Sequence, residues 1–271
     1  MLSVMLGVMV FLGVKAYSYA IAYEEATTEM VMLQGATEQA KLQLEKFATS
    51  ILGELVSNER QVNFMHIKQN QVEAMQNAQQ YTRYFMYLLG IVLLSFFYLS
   101  LQAFTFWGSL AAMLTLVLGL FTPILMVTIH KEVEYIGDIV LSFESKGVIG
   151  SIIKLWEGND IVVALVILIF SVLVPVVKVF SLLFISIFMQ NKFAHNMVKF
   201  FKMIGKWSMV DVFVVAVFLV YLTANKGDVS RAEVEVGLYF FLAYVIISML
   251  VSLSADKMLH QERLRESNHL L

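Results

Sequence analysis

The chain has 271 residues, 59% of them hydrophobic and 15% charged, with mean hydropathy +0.75; soluble domains carry about a quarter charged residues, so lipid is its main solvent. A formal net charge of −2 excludes the broad basic field of a nucleic-acid binder. The lack of cysteine excludes disulfides, thiolate zinc sites and cysteine nucleophiles, and the histidines at 66, 130, 195, 260 and 269 offer no i, i+4 pair for a helical metal site, so neither metal nor cofactor is expected.

A membrane-crossing helix needs about 20 mostly apolar residues. Six stretches meet that requirement: roughly 1–22, 84–104, 107–129, 161–188, 208–224 and 236–254. The first ends in Ala-Ile-Ala, which is similar to a signal-peptide cleavage site. It lacks a basic n-region, and its apolar run extends up to the candidate site, so it is expected to stay as an anchor.

Residues 23–82 are rich in Glu, Gln, Ala, Met and Lys and contain no proline, which predicts helix throughout. Met30, Leu33, Thr37, Ala40, Leu44, Phe47 and Ile51 alternate three and four apart, the spacing of a coiled-coil seam. The pattern breaks at Val-Ser-Asn-Glu-Arg and restarts with Val62, Met65, Val72 and Met75. Since both ends re-enter one membrane, an antiparallel hairpin over 23–82, turning near Ser57–Asn58, is predicted. Each arm would rise about 40 Å at 1.5 Å per residue. Packing, docking (including oligomer formation) and sensing all remain open for it.

Short loops rich in Lys and Arg stay in the cytoplasm. The loop after the fourth span holds Lys192, Lys199, Lys202 and Lys206 with no acid, and the C-terminal tail adds Lys257, Arg263 and Arg265. The segment 130–160 holds six acids against three lysines, and 225–237 is also net acidic, so both are expected outside. Alternation then places both termini in the cytoplasm and 23–82 outside. Within the outer loop, Val148, Ile149, Ile152, Ile153, Leu155 and Trp156 form an apolar face beside Lys154 and Glu157. That face fits a short interfacial helix with Trp156 at headgroup level, or equally a loop packed on the bundle. No segment reads as strand-rich. The predicted fold is all-α: a polytopic helical membrane protein with about six transmembrane helices and an external helical hairpin.

The only two prolines, Pro123 and Pro175, both fall in predicted spans. Proline removes a backbone donor and frees the carbonyl four residues earlier, which for Pro175 is that of Ser171. Ser171, Pro175 and Lys178 stand at i, i+4 and i+7 and share one helix face. A hydroxyl, a freed carbonyl and an ammonium thus form a polar seam in an apolar helix. An ionisable residue inside the membrane is a functional candidate; the plainer reading is that Lys178 snorkels to the cytoplasmic interface. Asp211 also has two readings. Ser208 and Asp211 have the Ser-x-x-Asp spacing of a capping box, and an acid suits a helix N-terminus; alternatively Asp211 joins the network of Lys178. Thr122, Thr223 and His130 are weaker polar candidates. No Gly-rich phosphate loop, nucleophile elbow or catalytically spaced carboxylate pair occurs, so an enzyme is not expected.

From about residue 107 to 260 the chain resembles the membrane domain of the paraquat-inducible protein A family (PqiA/LetA-like). The resemblance rests on an ordered series: Leu-Phe-Thr-Pro with Pro123, the outer Gly-Ser-Ile-Ile-Lys-Leu-Trp segment, Pro-x-x-Lys at Pro175 and Lys178, and Trp207-Ser-Met209-Val-Asp211-Val-Phe213. It implies an inner-membrane protein that works with MCE-type periplasmic partners to move phospholipids between the two membranes of a Gram-negative envelope. It also implies that Lys178 belongs to a polar, proton-coupled network inside the bundle. The chain departs from the family pattern in lacking Cys-rich zinc ribbons and in having one membrane domain. The expected organisation is residues 1–104 as anchor, hairpin and second span, 105–260 as a four-helix membrane domain, and 261–271 as a cytoplasmic tail. The alternative function is a membrane sensor or assembly protein that uses the external hairpin.

Overall fold

The computed structural model describes residues 2–34, 57–95, 98–133, 137–187 and 230–269. Helix α1 (Leu2–Gln34) and helix α2 (Ser57–Leu94) pack side by side. The Tyr19 and Tyr81 rings stack at 5.5 Å, and Gln71 Nε2 donates to Thr27 Oγ1 at 2.8 Å, so the two helices run antiparallel. Ser57 and Asn58, the turn position predicted from the sequence, are the first two residues of α2.

The seam of this hairpin also differs from the predicted one. Met9, Leu12, Ala16, Ala20, Tyr23 and Thr27 of α1 are buried, as are Ala74, Ala78, Thr82, Phe85, Leu89 and Val92 of α2. Both sets step by three and four, but Met65, Val72 and Met75 lie exposed on the outside. Small residues won the seam because they let two helix backbones approach closely. Of the other predicted heptad positions, Thr37, Ala40, Leu44, Phe47 and Ile51 lie outside the described residues. Ala78 meets Ala20 and Val236 with no room to spare. Ala78→Leu is expected to lower stability by about 1–3 kcal/mol through overpacking, read as a thermal shift in detergent, while Val72→Leu on the exposed face leaves it unchanged.

Helix α3 (Leu101–Phe121) begins at Ser100, whose hydroxyl accepts from the Ala103 N–H, and stops at Thr122. The predicted span 84–104 is therefore two helices, α2 ending at Leu94 and α3 starting at Leu101. The predicted span 107–129 is also shortened. Pro123 ends α3 and does not sit within it, since a residue with no N–H is tolerated just past a helix end. Beyond it lie strands β1 (Leu125–Val133) and β2 (Gly137–Lys146), an antiparallel hairpin with Leu125 opposite Lys146 and Val133 opposite Gly137. The register shifts between Ile129 and His130, which leaves Leu141 as an extra residue on β2. Strand β3 (Ser230–Val234) pairs with β1 on its other side, giving the order β2-β1-β3. This sheet corrects the reading that no segment is strand-rich. Hydropathy alone counted Leu125–Ile129 as the end of a span, although Val127, Thr128 and Ile129 are β-branched.

After β2 comes helix α4 (Val148–Glu157); α5 (Ile161–Ile167), a π-helical turn (Leu168–Leu173) and α6 (Val174–Ile187) then form one apolar rod. The long helix α7 (Val236–His269) follows β3. Among the described residues, four helical stretches are long and apolar enough to cross a membrane: Leu2–Met32, Leu101–Phe121, Ile161–Ile187 and Val236–Met258. The apolar end of α2 lies against the membrane part of α1, as the burial of Phe85, Leu89 and Val92 shows. The protein is a polytopic helical membrane protein, with its small sheet at one end of the bundle. Tyr23, Ala74 and Met126 fix that sheet to the hairpin. The predicted span 208–224 lies outside the described residues.

Helices α3 and α7 also pack closely. Gly108, Ala111, Ala112 and Gly119 of α3 face Phe240, Tyr244, Ile247, Val251 and Ala255 of α7. A Cβ on Gly119 would stand 2.8 Å from the Phe241 backbone N, and one on Gly237 would stand 2.5 Å from both the Thr122 and the Pro123 carbonyl oxygens. The Gly237 N–H donates to Pro123 O at 2.9 Å, and the Glu235 N–H to Ile124 O at 3.0 Å. Pro123 thus marks a backbone crossing where the end of α3 meets the start of α7. Phe85 of α2 meets Phe240 edge-on at 5.0 Å and so joins the hairpin to this pair.

Candidate functional site

Lys178 is 5% exposed. It stands about 26 Å along the rod from Ile161 and about 14 Å from Ile187 at 1.5 Å per residue, too deep to reach the nearer interface with a side chain of roughly 6 Å. Its Nζ donates to Ser248 Oγ at 3.2 Å, and that hydroxyl donates to the Val245 carbonyl at 3.0 Å. Ser248 is fully buried on α7, about 18 Å from Val236 and about 15 Å from Met258. The amine is therefore held near mid-depth by a neighbouring helix.

Ser171 and Pro175 are buried on the same rod as Lys178, together with Ser181 and Ser186. The backbone around Ser171 is π-helical where the sequence predicted an α-helix with a freed carbonyl. Residues 168–173 form a π turn, closed by the Val174 N–H donating to Ile169 O. A π turn shifts bonding to i, i+5, which carries the ladder past a residue that has no N–H. Such turns concentrate at functional sites.

Around Lys178 the hydroxyls bond the backbone of their own helices. Ser181 donates to Val177 O, Ser109 to Thr105 O at 2.6 Å, and Thr115 reaches the Ala111 and Ala112 carbonyls at 3.0 Å. Closer to the end away from the sheet, Thr105 Oγ1 lies 3.2 Å from Ser254 Oγ, and both reach the Leu101 carbonyl. Ser186 Oγ donates to Gln102 O at 3.2 Å. A hydroxyl can satisfy itself this way, whereas an ammonium carries three donors and no acceptor. Ser248 on α7 takes one of the three donors of Lys178.

The remaining predicted residues fall as follows. Trp156 is exposed on α4, whose one buried residue is Ile152, while Val148 and Ile149 pack on the core. His130 lies in β1 opposite Val140. Thr122 is fully buried, and its hydroxyl has no hydrogen-bond partner among the described residues. Asp211, Trp207, Met209, Phe213 and Thr223 lie outside the described residues. Ser248, Gly119 and Gly237 escaped the sequence reading. Lone serines and glycines are common in membrane helices, so only the pairing across helices distinguishes these three. Among the described residues there is no group of His, Cys, Asp and Glu able to hold a metal ion.

A bundle with a small sheet at one end, a proline-linked π turn and one buried amine defines a helical membrane protein with a polar interior site. The family profile of paraquat-inducible protein A matches residues 103–265, and the chain belongs to that family. It is similar to the intermembrane transport protein PqiA of Escherichia coli, 26% identical over 140 residues, which cover 49% of this chain and 33% of that protein. A probable intermembrane transport protein of Haemophilus influenzae is 27% identical over 117 residues, covering 41% of this chain and 28% of its own length. The match therefore spans about a third of these relatives. No solved structure matches the chain.

Proposed function

We propose that the protein is an inner-membrane component of an intermembrane lipid transport system, working with an MCE-type periplasmic partner. It has no catalytic role, and its cargo is membrane phospholipid. The observation that carries this reading is the Lys178 ammonium, held by Ser248 near mid-depth beside a π turn. In an apolar slab an amine attracts the phosphate of a lipid headgroup while the acyl chains stay in the bilayer. The rod through α5, the π turn and α6 supplies the weakened ladder that lets such a path open and close. Protonation of Lys178 biases the two states. Family membership and the printed names of the relatives support intermembrane transport.

In this reading residues 105–260 form the transport unit, 1–104 an anchored hairpin packed on it, and 261–271 a tail. Both termini face the cytoplasm and the sheet faces the periplasm. Asp211 either caps its helix or joins Lys178. A second reading, a sensor or assembly protein, draws on Met32, Met65 and Val72, which lie exposed on the hairpin. Deletion of 24–82 separates the two, since a sensor loses its response and a transport unit keeps basal lipid movement.

The class is tested by mild-detergent affinity purification with mass spectrometry of bound proteins and lipids. The proposal expects an MCE-family protein and phospholipid in stoichiometric amount. Recovery of a signalling partner with no bound lipid would overturn it.

A further inference from the structure

A second charge lies inside the membrane part of the protein, outside the family unit. Lys15 of α1 is half-buried, and its ammonium stands 6.0 Å from the centre of the Tyr19 ring. Its depth follows from packing. Ala20 and Ala78 meet Val236, the sheet-side end of a membrane-crossing helix, so Tyr19 and Tyr81 lie at that level. Lys15, one helical turn further in, is about 6 Å below it. A lysine of that reach directs its charge back to the headgroup layer.

The same face continues across the hairpin. Tyr81 stacks on Tyr19, and Tyr84 follows Tyr81 by three residues toward the depth of Lys15. The Tyr84 hydroxyl accepts from Gln80 Nε2 at 3.0 Å, which leaves its own hydrogen free to donate. Toward the other end of α1, Val4, Val8, Phe11 and Lys15 stand four, three and four apart, so they form one stripe. Val4, Val8 and Phe11 are all exposed, and Ile91 of α2 is exposed beside them. From Lys15 to Val4 is about 16 Å, close to half of a roughly 30 Å hydrocarbon core. An amine and a phenol above an apolar stripe of one acyl-chain length have the shape and polarity of a phospholipid.

We propose that the outward face of the α1–α2 hairpin binds one phospholipid of the sheet-side leaflet, with its phosphate on Lys15 and Tyr84 and an acyl chain along Val4, Val8 and Phe11. A partner transmembrane helix fits less well. Helix–helix contacts in membranes favour small residues, and those of α1 are already used: Ala16 and Ala20 face the hairpin core and Gly13 faces Leu118. The site rests on the chain spanning the membrane and is independent of the transport reading.

The test is native mass spectrometry of the full chain in detergent, titrated with phosphatidylglycerol, together with a photo-crosslinking residue at Phe11 in cells. The wild type is expected to hold one lipid on this face, beyond any lipid at Lys178, that Lys15→Ala loses about tenfold, the effect of removing one charge-assisted bond. Lys15→Arg retains it, Tyr84→Phe weakens it, and Lys178→Ala leaves it in place. The Phe11 probe forms a phospholipid adduct. Equal retention by Lys15→Ala, loss caused by Lys178→Ala alone, or a protein adduct at Phe11 would each overturn the proposal. Should Lys15→Ala fail to fold, Tyr84→Phe and the Phe11 probe still decide it.

Discussion

Lys178→Met is expected to raise the thermal stability of the protein while ending the proposed lipid movement. Lysine at the centre of a membrane helix carries an insertion penalty of about 2.5–3.5 kcal/mol, and replacing buried charge by an apolar side chain of similar volume is neutral or stabilising by about 1–4 kcal/mol. The Ser248 hydroxyl keeps its bond to the Val245 carbonyl in the variant. Ser248→Ala acts in the other direction. It removes an acceptor from a buried ammonium and is expected to destabilise by about 1–3 kcal/mol. Melting curves in detergent give both signs. A residue kept for packing would lower stability and activity together, whereas a residue kept for function separates them.

Gly237→Ala is expected to be the most damaging single-methyl change among the described glycines. The added Cβ would meet two consecutive carbonyl oxygens, of Thr122 and Pro123, at 2.5 Å. Neither can swing away as a side chain does, because the Gly237 N–H bonds Pro123 O and the Glu235 N–H bonds Ile124 O. Overpacking costs about 1–3 kcal/mol where side chains absorb it, and here backbone must move, so a loss of roughly 3 kcal/mol is expected. Gly90→Ala is the matched control. It has open space around it and lies in α2, where alanine is favoured over glycine by about 0.5–1 kcal/mol. Melting temperatures of the two variants should therefore move in opposite directions. Equal values would mean that α3 and α7 do not cross this closely.

The parts of the structure that were legible in the sequence are those where a residue stands out from its surroundings. Lys178 is a lone charge in an apolar run, and its face, shared with Ser171 and Pro175, follows from helical spacing alone. The hairpin was legible as two helices because no proline interrupts it. Its seam was not, because Ala16, Ala20, Ala74 and Ala78 carry little hydropathy signal beside Met65 and Met75, yet close approach selects them. The sheet was hidden for the opposite reason. Leu125–Ile129 is as apolar as a span, and only its β-branched residues and the proline before it signal a strand. Pro123 was read as a weakness inside a helix and turned out to end one. Ser248 could not be singled out, since a hydroxyl in a membrane helix is common, and its role depends on facing Lys178 from 70 residues away. The Trp207–Phe213 motif, informative in sequence, lies outside the described residues.

The central claim is that a held amine inside the bilayer handles lipid headgroups. Its most direct measurement is the rate at which a headgroup-labelled phospholipid leaves proteoliposomes containing the full chain and any periplasmic protein that co-purifies with it, for the wild type, Lys178→Met and Gly90→Ala. The account predicts at least about a tenfold fall, equivalent to 1.4 kcal/mol, for Lys178→Met at unchanged or higher stability, and a wild-type rate for Gly90→Ala. A wild-type rate for Lys178→Met would contradict it.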